Sequence, residues 1–125
     1  MKKALKTLTP VELEIMSVLW GLGRGTVKDV QGQLPKERGL AYTTVATMMK
    51  ILEGKGIVTS EKGDKAHTFT PLLKREDYAA QSIKSLTQKV FSENPTLLVK
   101  HLLEDKTLSV ADLKEIERLI KERLR

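Results

Sequence analysis

Thr43, Ala46, Thr47 and Lys50 recur at the i, i+3, i+4, i+7 spacing within Ala41–Leu52, so a helix here presents them on one side. Val45, Met48, Met49 and Leu52 follow the same spacing on the other side and form an apolar stripe for a core. A merely solvated face is usually built of Glu and Lys, because straight-chain charged residues cost little in a helix and Thr costs more. A face of short, uncharged side chains can instead lie close against another surface. Thr hydroxyls donate to or accept from base edges and phosphates, and the Thr and Ala methyls can touch a thymine methyl. Lys50 can reach a guanine edge or a phosphate. Thr43 and Thr44 fall at the start of the helix, where backbone N–H groups favour a phosphate. The chemistry of this stretch is therefore that of a surface lying in the major groove of DNA.

Other chemistries find little support. The chain has no cysteine, which removes disulfides, thiolate metal sites and a thiol nucleophile, and suits a reducing compartment. Its two histidines, His67 and His101, stand far apart with no carboxylate cluster beside them, so no metal site and no cofactor are expected. Gly21, Gly23 and Gly25 follow a helix rather than a strand, unlike a nucleotide-binding loop. No enzyme is expected. No apolar run approaches the roughly 20 residues that cross a bilayer, and no hydrophobic signal core follows Met1-Lys2-Lys3, so the reading is a cytoplasmic protein without direct membrane insertion. The 125 residues carry a net charge of +6, which favours an anionic partner.

The elements that must position the Thr-Ala-Thr face follow from the flanking sequence. Residues 1–8 are a short basic, frayed lead. Thr9, Pro10 and Glu12 mark a helix start with a capping box, and Leu8 and Leu13 are spaced as a hydrophobic staple. This helix turns Leu13, Met16, Leu19 and Trp20 inward, Trp20 as plain core, and ends at Gly21. Arg24 projects from the following turn. Thr26 caps a second short helix, with Asp29 at its third position and Val27, Val30 and Leu34 inside, and Pro35 ends it. Two helices joined by a turn, the second with a small polar outer face, make a helix-turn-helix. Ile57–Lys62 and Ala66–Thr70 then alternate around Gly63-Asp64-Lys65 as a hairpin, with Ile57 and Phe69 closing over the helices and Lys62 and Lys65 at the tip. A basic hairpin placed after a helix-turn-helix is a wing, which lies along the sugar-phosphate backbone.

Residues 74–92, 96–104 and the segment from Ser109 read as three helices, with apolar stripes at Ala79, Ile83, Leu86 and Val90 and at Val110, Leu113, Ile116, Ile120 and Leu124. So short a tail buries too little apolar surface alone, and the simplest cover is a second copy in a two-fold dimer. Residues 1–72 carry 11 Lys/Arg against 7 Asp/Glu, a net of +4; residues 73–125 carry 11 against 9, a net of +2. The expected architecture is mainly α with a small β-hairpin wing. Residues 1–72 are a winged helix-turn-helix DNA-binding domain, and residues 73–125 a helical dimerisation domain.

Leu8-Thr-Pro-Val-Glu-Leu-Glu-Ile-Met-Ser-Val-Leu-Trp20, Thr26-Val-Lys-Asp-Val30, Ala41-Tyr-Thr-Thr-Val45 and Leu52-Glu-Gly-Lys-Gly56 together resemble the penicillinase repressor family (its BlaI, MecI and CopY branches). The resemblance runs in order over essentially the whole chain. It implies a homodimeric winged-helix repressor that binds palindromic operators through its N-terminal unit and dimerises through its tail. The copper-responsive branch carries a Cys-rich tail motif that this cysteine-free chain lacks. The β-lactam-responsive members are cut within the tail at an Asn-Phe bond, after a membrane sensor protease signals. The aligned dipeptide here is His101-Leu102, which departs from that pattern and marks the corresponding candidate cleavage position. The DNA-facing candidates are Thr43, Thr44, Ala46, Thr47, Lys50, Lys62 and Lys65. The alternative function is a winged-helix protein-interaction adaptor, which would more often present large aromatic or Arg anchors than this short-chain face.

Overall fold

The computed structural model describes residues 7–125. Most of the basic lead expected to fray thus lies outside the described residues, but Leu8 is buried and its N–H donates to the Tyr78 hydroxyl at 3.3 Å. The element order is α1 (Pro10–Leu22), α2 (Val27–Gln33), a 3-10 turn (Lys36–Arg38), α3 (Tyr42–Gly54), β1 (Val58–Lys62), β2 (His67–Pro71), α4 (Arg75–Lys89), α5 (Pro95–Leu103) and α6 (Val110–Arg123). The chain divides into two compact units, the first reaching Gln81 and the second running Ser82–Arg125.

In the first unit, local signals set the helix starts. The Thr9 hydroxyl accepts from the Glu12 N–H, and the Glu12 carboxylate accepts from the Thr9 N–H at 2.8 Å. Thr26 and Asp29 reciprocate in the same way at the start of α2. These boxes satisfy N–H groups that the first helical turn leaves without partners. Helix α1 runs one residue past the expected Gly21 stop. Gly23, at φ 85°, supplies the closing N–H to the Leu19 carbonyl, in a backbone region that residues with a Cβ rarely adopt.

The core is formed by Ile15, Met16 and Leu19 of α1, Val27, Val30 and Leu34 around α2, Val45, Met49 and Leu52 of α3, and Ile57, Val58 and Phe69 of the hairpin. Two expectations for α1 are corrected. Leu13 is 36% exposed, and Glu12 takes the inward place at 1%. The buried stripe of α1 is therefore Glu12, Ile15, Met16 and Leu19, rotated by one position. Trp20 is only half-buried. Its indole N–H donates to the Leu73 carbonyl at 2.9 Å, its ring lies 6.1 Å from that of Tyr78, and the Arg75 guanidinium stands 5.7 Å from its centroid. A buried indole needs a partner for its N–H, and this one finds it in the chain leaving the hairpin. A chain ended at residue 72 lacks these contacts. It is expected to melt about 5–15 °C below a chain ended at Gln81, as paired thermal melts would show.

The two strands pair antiparallel with Lys62 opposite His67, Ser60 opposite Phe69 and Val58 opposite Pro71. The Gly63 N–H donates to the Ala66 carbonyl at 2.9 Å across the turn. A Cβ at Gly63 would lie 2.7 Å from that carbonyl oxygen, so the turn requires glycine. The far edge of β2 is also covered. Gly25 exchanges both backbone hydrogen bonds with Phe69, at 3.0 and 2.8 Å.

In the second unit, Asn94 caps α5 with Pro95 in its first turn, and Ser109 and Asp112 form a capping box on α6. Ser92 and Glu93 both take positive φ in the turn before α5, and the Phe91 and His101 rings meet at 5.2 Å. Leu98 is the one buried apolar residue of this unit among the described residues. Within the single chain the tail's apolar stripes are largely exposed, as expected of a surface for another copy to cover: Ile83 is 51% exposed, Val90 64%, Val110 69% and Leu124 79%. Short helices on so few residues cannot enclose a core of their own.

Candidate nucleic-acid interface

Helices α1, α2 and the hairpin all pack on α3 or on one another, and Val45, Met49 and Leu52 are the α3 side chains they bury. The opposite side of α3 is left outward. Thr43, Thr44, Thr47 and Lys50 are exposed, and Ala46 is half-buried beneath them. Met48, expected on the apolar stripe, is half-buried at its margin. Lys62 and Lys65 are exposed at the hairpin tip. The structure thus places these seven residues on one compact unit, five on α3 and two on the wing.

The start of α3 is set by the chain rather than by a cap. The Gln31 side-chain amide donates to the Leu40 carbonyl at 3.1 Å and fixes the turn that leads in. Gly39, at φ 61°, closes the 3-10 turn. Ala41 then occupies the N-cap position and offers no side-chain hydrogen bond. In α1, α2, α5 and α6 the cap side chain accepts from a first-turn N–H, whereas the first turn of α3 has no side-chain cap hydrogen bond. Tyr42, 50% exposed, adds a phenol to this end of the face. Sequence reasoning passed over both features, although the absence of Ser, Thr, Asp or Asn at position 41 was a readable signal.

Electrostatics lock the far end of α3. The Lys55 ammonium lies 2.6 Å from the buried Glu12 carboxylate, joining the start of α1 to the end of α3. Burial pushes the Glu12 carboxyl up. The hydrogen bond from Lys55, the Thr9 N–H and the Lys55 charge outweigh it, and hold the group below its ordinary value of 4.5. Ser60 donates to Glu53 at 2.5 Å and fastens β1 to the same end of α3. Asp29 is also held below the ordinary range, chiefly by the Thr26 N–H, and stays ionised at the positive end of α2. Arg38 pairs with Glu14 at 2.8 Å on the surface.

His101 and Leu102 lie inside the last turns of α5, both exposed, with the His101 ring against Phe91. Among the described residues, no three His, Cys, Asp or Glu side chains gather as a metal site, and no helix is long and apolar enough to cross a membrane.

A helix-turn-helix whose second helix keeps a small polar face outward, followed by a two-stranded hairpin, defines a winged-helix domain. A solved DNA-binding domain of the repressor BlaI is similar, with a TM-score of 0.53 and 27% identity over 62% of this chain and 94% of that one. Residues 8–122 match the family model of the penicillinase repressor, and the chain belongs to that family. It is 24% identical to the penicillinase repressor of Bacillus licheniformis over 120 residues, spanning 96% of this chain and 94% of the relative. It is 31% identical to the transcriptional regulator BlaI of Mycobacterium tuberculosis over 102 residues, spanning 80% and 74%.

Proposed function

We propose that this protein is a homodimeric transcriptional repressor that binds a palindromic operator in double-stranded DNA. The observation that carries the reading is the outward face of α3: Thr43, Thr44, Thr47 and Lys50, short or singly charged, beside a first turn that no side chain caps. Such a face can enter a major groove, with the uncapped N–H groups toward a phosphate and the Thr side chains toward base edges. Lys62 and Lys65 on the wing then meet the backbone beside the groove. Family membership supports the repressor role, and the relatives' names agree with it. The tail supplies the two-fold. Its exposed Ile83, Leu102, Leu113, Ile120 and Leu124 are the surface a second copy would cover, so that two α3 helices face one duplex. Half-sites are expected about one helical turn apart, or a multiple of it.

Binding-site selection from random duplexes, read by gel shift at moderate salt, tests the reading. One preferred palindrome is expected, and binding with no preferred sequence overturns it. On that site, Thr47→Ala is expected to relax discrimination at one or two base pairs by about 1–3 kcal/mol. Lys65→Ala should instead weaken all sequences alike and reduce the salt dependence by about one phosphate contact per chain. Signalling by a membrane sensor protease would require cleavage near His101-Leu102, which first has to unwind the end of α5.

A further inference from the structure

The register of the hairpin sets His67 directly opposite Lys62, as the last strand pair before the Gly63–Ala66 turn. Side chains alternate between faces along a strand, so both share the face that carries Ser60 and Phe69. That face is turned toward the helices: Phe69 is buried in the core and Ser60 is bonded to Glu53 of α3. Lys62 and His67 continue it beyond the edge of the core, where both are exposed. Among the described residues the His67 imidazole has no hydrogen-bond or ion-pair partner.

The charged groups around it divide clearly. Lys65 and Asp64 occupy the turn. Glu61 lies on the other face, opposite Thr68. Glu53, at the end of α3, is engaged by Ser60. On the far edge of β2, Gly25 is flanked by Arg24, and the first turn of α2 adds Lys28 and Asp29, the latter bonded to Thr26. Two of the nearby carboxylates are therefore committed elsewhere, and the cross-strand neighbour is a cation.

We propose that His67 is a third phosphate ligand of the wing, and that its protonation couples DNA binding to pH. The proposal rests on the reading of the wing as a DNA-backbone contact. Imidazole is the side chain whose ordinary titration falls between pH 5 and 8. A phosphate seated between Lys62 and His67 favours the imidazolium and gains a charge-assisted hydrogen bond from it. Protonation of His67 and binding of DNA then favour one another by linkage. Affinity rises as the pH falls, with up to one proton taken up per chain.

The test uses the full chain and a fluorescent mixed-sequence 30-base-pair duplex at low salt, because a backbone contact needs no particular sequence. Anisotropy titrations between pH 6 and 8 are expected to show affinity rising roughly three- to tenfold per chain toward the acid side. Calorimetry in two buffers of different ionisation enthalpy should count the protons taken up by the unaltered protein. His67→Gln is expected to lose most of the pH dependence. His67→Lys should bind at pH 8 as tightly as the parent does at pH 6, with a flat profile. His101→Gln should keep the parent profile. Tight DNA binding without proton uptake, or an unchanged profile in His67→Gln, overturns the role of His67 and leaves the DNA-binding reading standing. No binding to duplex at any pH overturns both.

Discussion

Glu12→Ala is expected to destabilise the protein by about 2–4 kcal/mol, a drop in melting temperature on the order of 10 °C. Three losses combine. The Thr9–Glu12 capping box goes, which costs about 1 kcal/mol. The Lys55 ammonium loses its partner at 2.6 Å, a cost limited because Lys55 is about one-third exposed and can be rehydrated. The side chain also leaves a void among fully buried neighbours of α1. Lys55→Ala is expected to cost about 1–2 kcal/mol, since it strands a buried carboxylate. Urea denaturation of the two variants checks both values. A loss under 1 kcal/mol for Glu12→Ala would mean that the ion pair contributes nothing beyond the cap. The pH dependence has a definite sign. The folded protein holds the Glu12 carboxyl below its ordinary 4.5, so its contribution is fully present above that value. It is lost as the pH falls from about 4.5 through the lower folded value, and Glu12→Gln should show a shallower acid unfolding over that window.

Substituting Leu113 and Ile120 by Asp together is expected to convert the protein to a monomer and to weaken operator binding by about 10²–10⁴-fold. Both side chains are more than 40% exposed in the single chain, so the change leaves the core of each unit intact. What it removes is the apolar cover between copies, at a cost of desolvating four charges in a two-fold interface. Each free reader then binds its half-site alone, without the effective concentration that a tethered second reader provides. Sedimentation of the parent and the variant, with titration of the selected operator, measures both effects. A parent that sediments as a monomer at micromolar concentration overturns the dimer. A dimeric variant with unchanged affinity would place the interface elsewhere.

Much of this protein was legible in its sequence, because the signals were local. The Thr9, Thr26 and Ser109 caps, the Pro35 and Pro95 boundaries, the two periodicities and the Gly63 turn depend on neighbours within a few residues, and backbone hydrogen bonding enforces them wherever they occur. The α3 stripe of Val45, Met49 and Leu52 followed in the same way, and so did the exposure of Thr43, Thr47 and Lys50 on the other side.

Tertiary structure decided what depends on distant partners. Periodicity gave α1 an apolar face through Leu13, since a carboxylate is ordinarily left in water. Glu12 goes inside instead because Lys55, 43 residues later, comes within 2.6 Å of it. Trp20, half-buried, sets its N–H on the carbonyl of Leu73, 53 residues away, a partner that no local pattern announces. Gly25 joins the sheet because Phe69 offers an open strand edge. The pairing of Lys62 with His67 came from the register, which the turn at Gly63 and the burial of Phe69 fix together. Local sequence wrote the elements and the face of α3. Long-range pairing of charges and backbone groups determined which side chains those elements could bury.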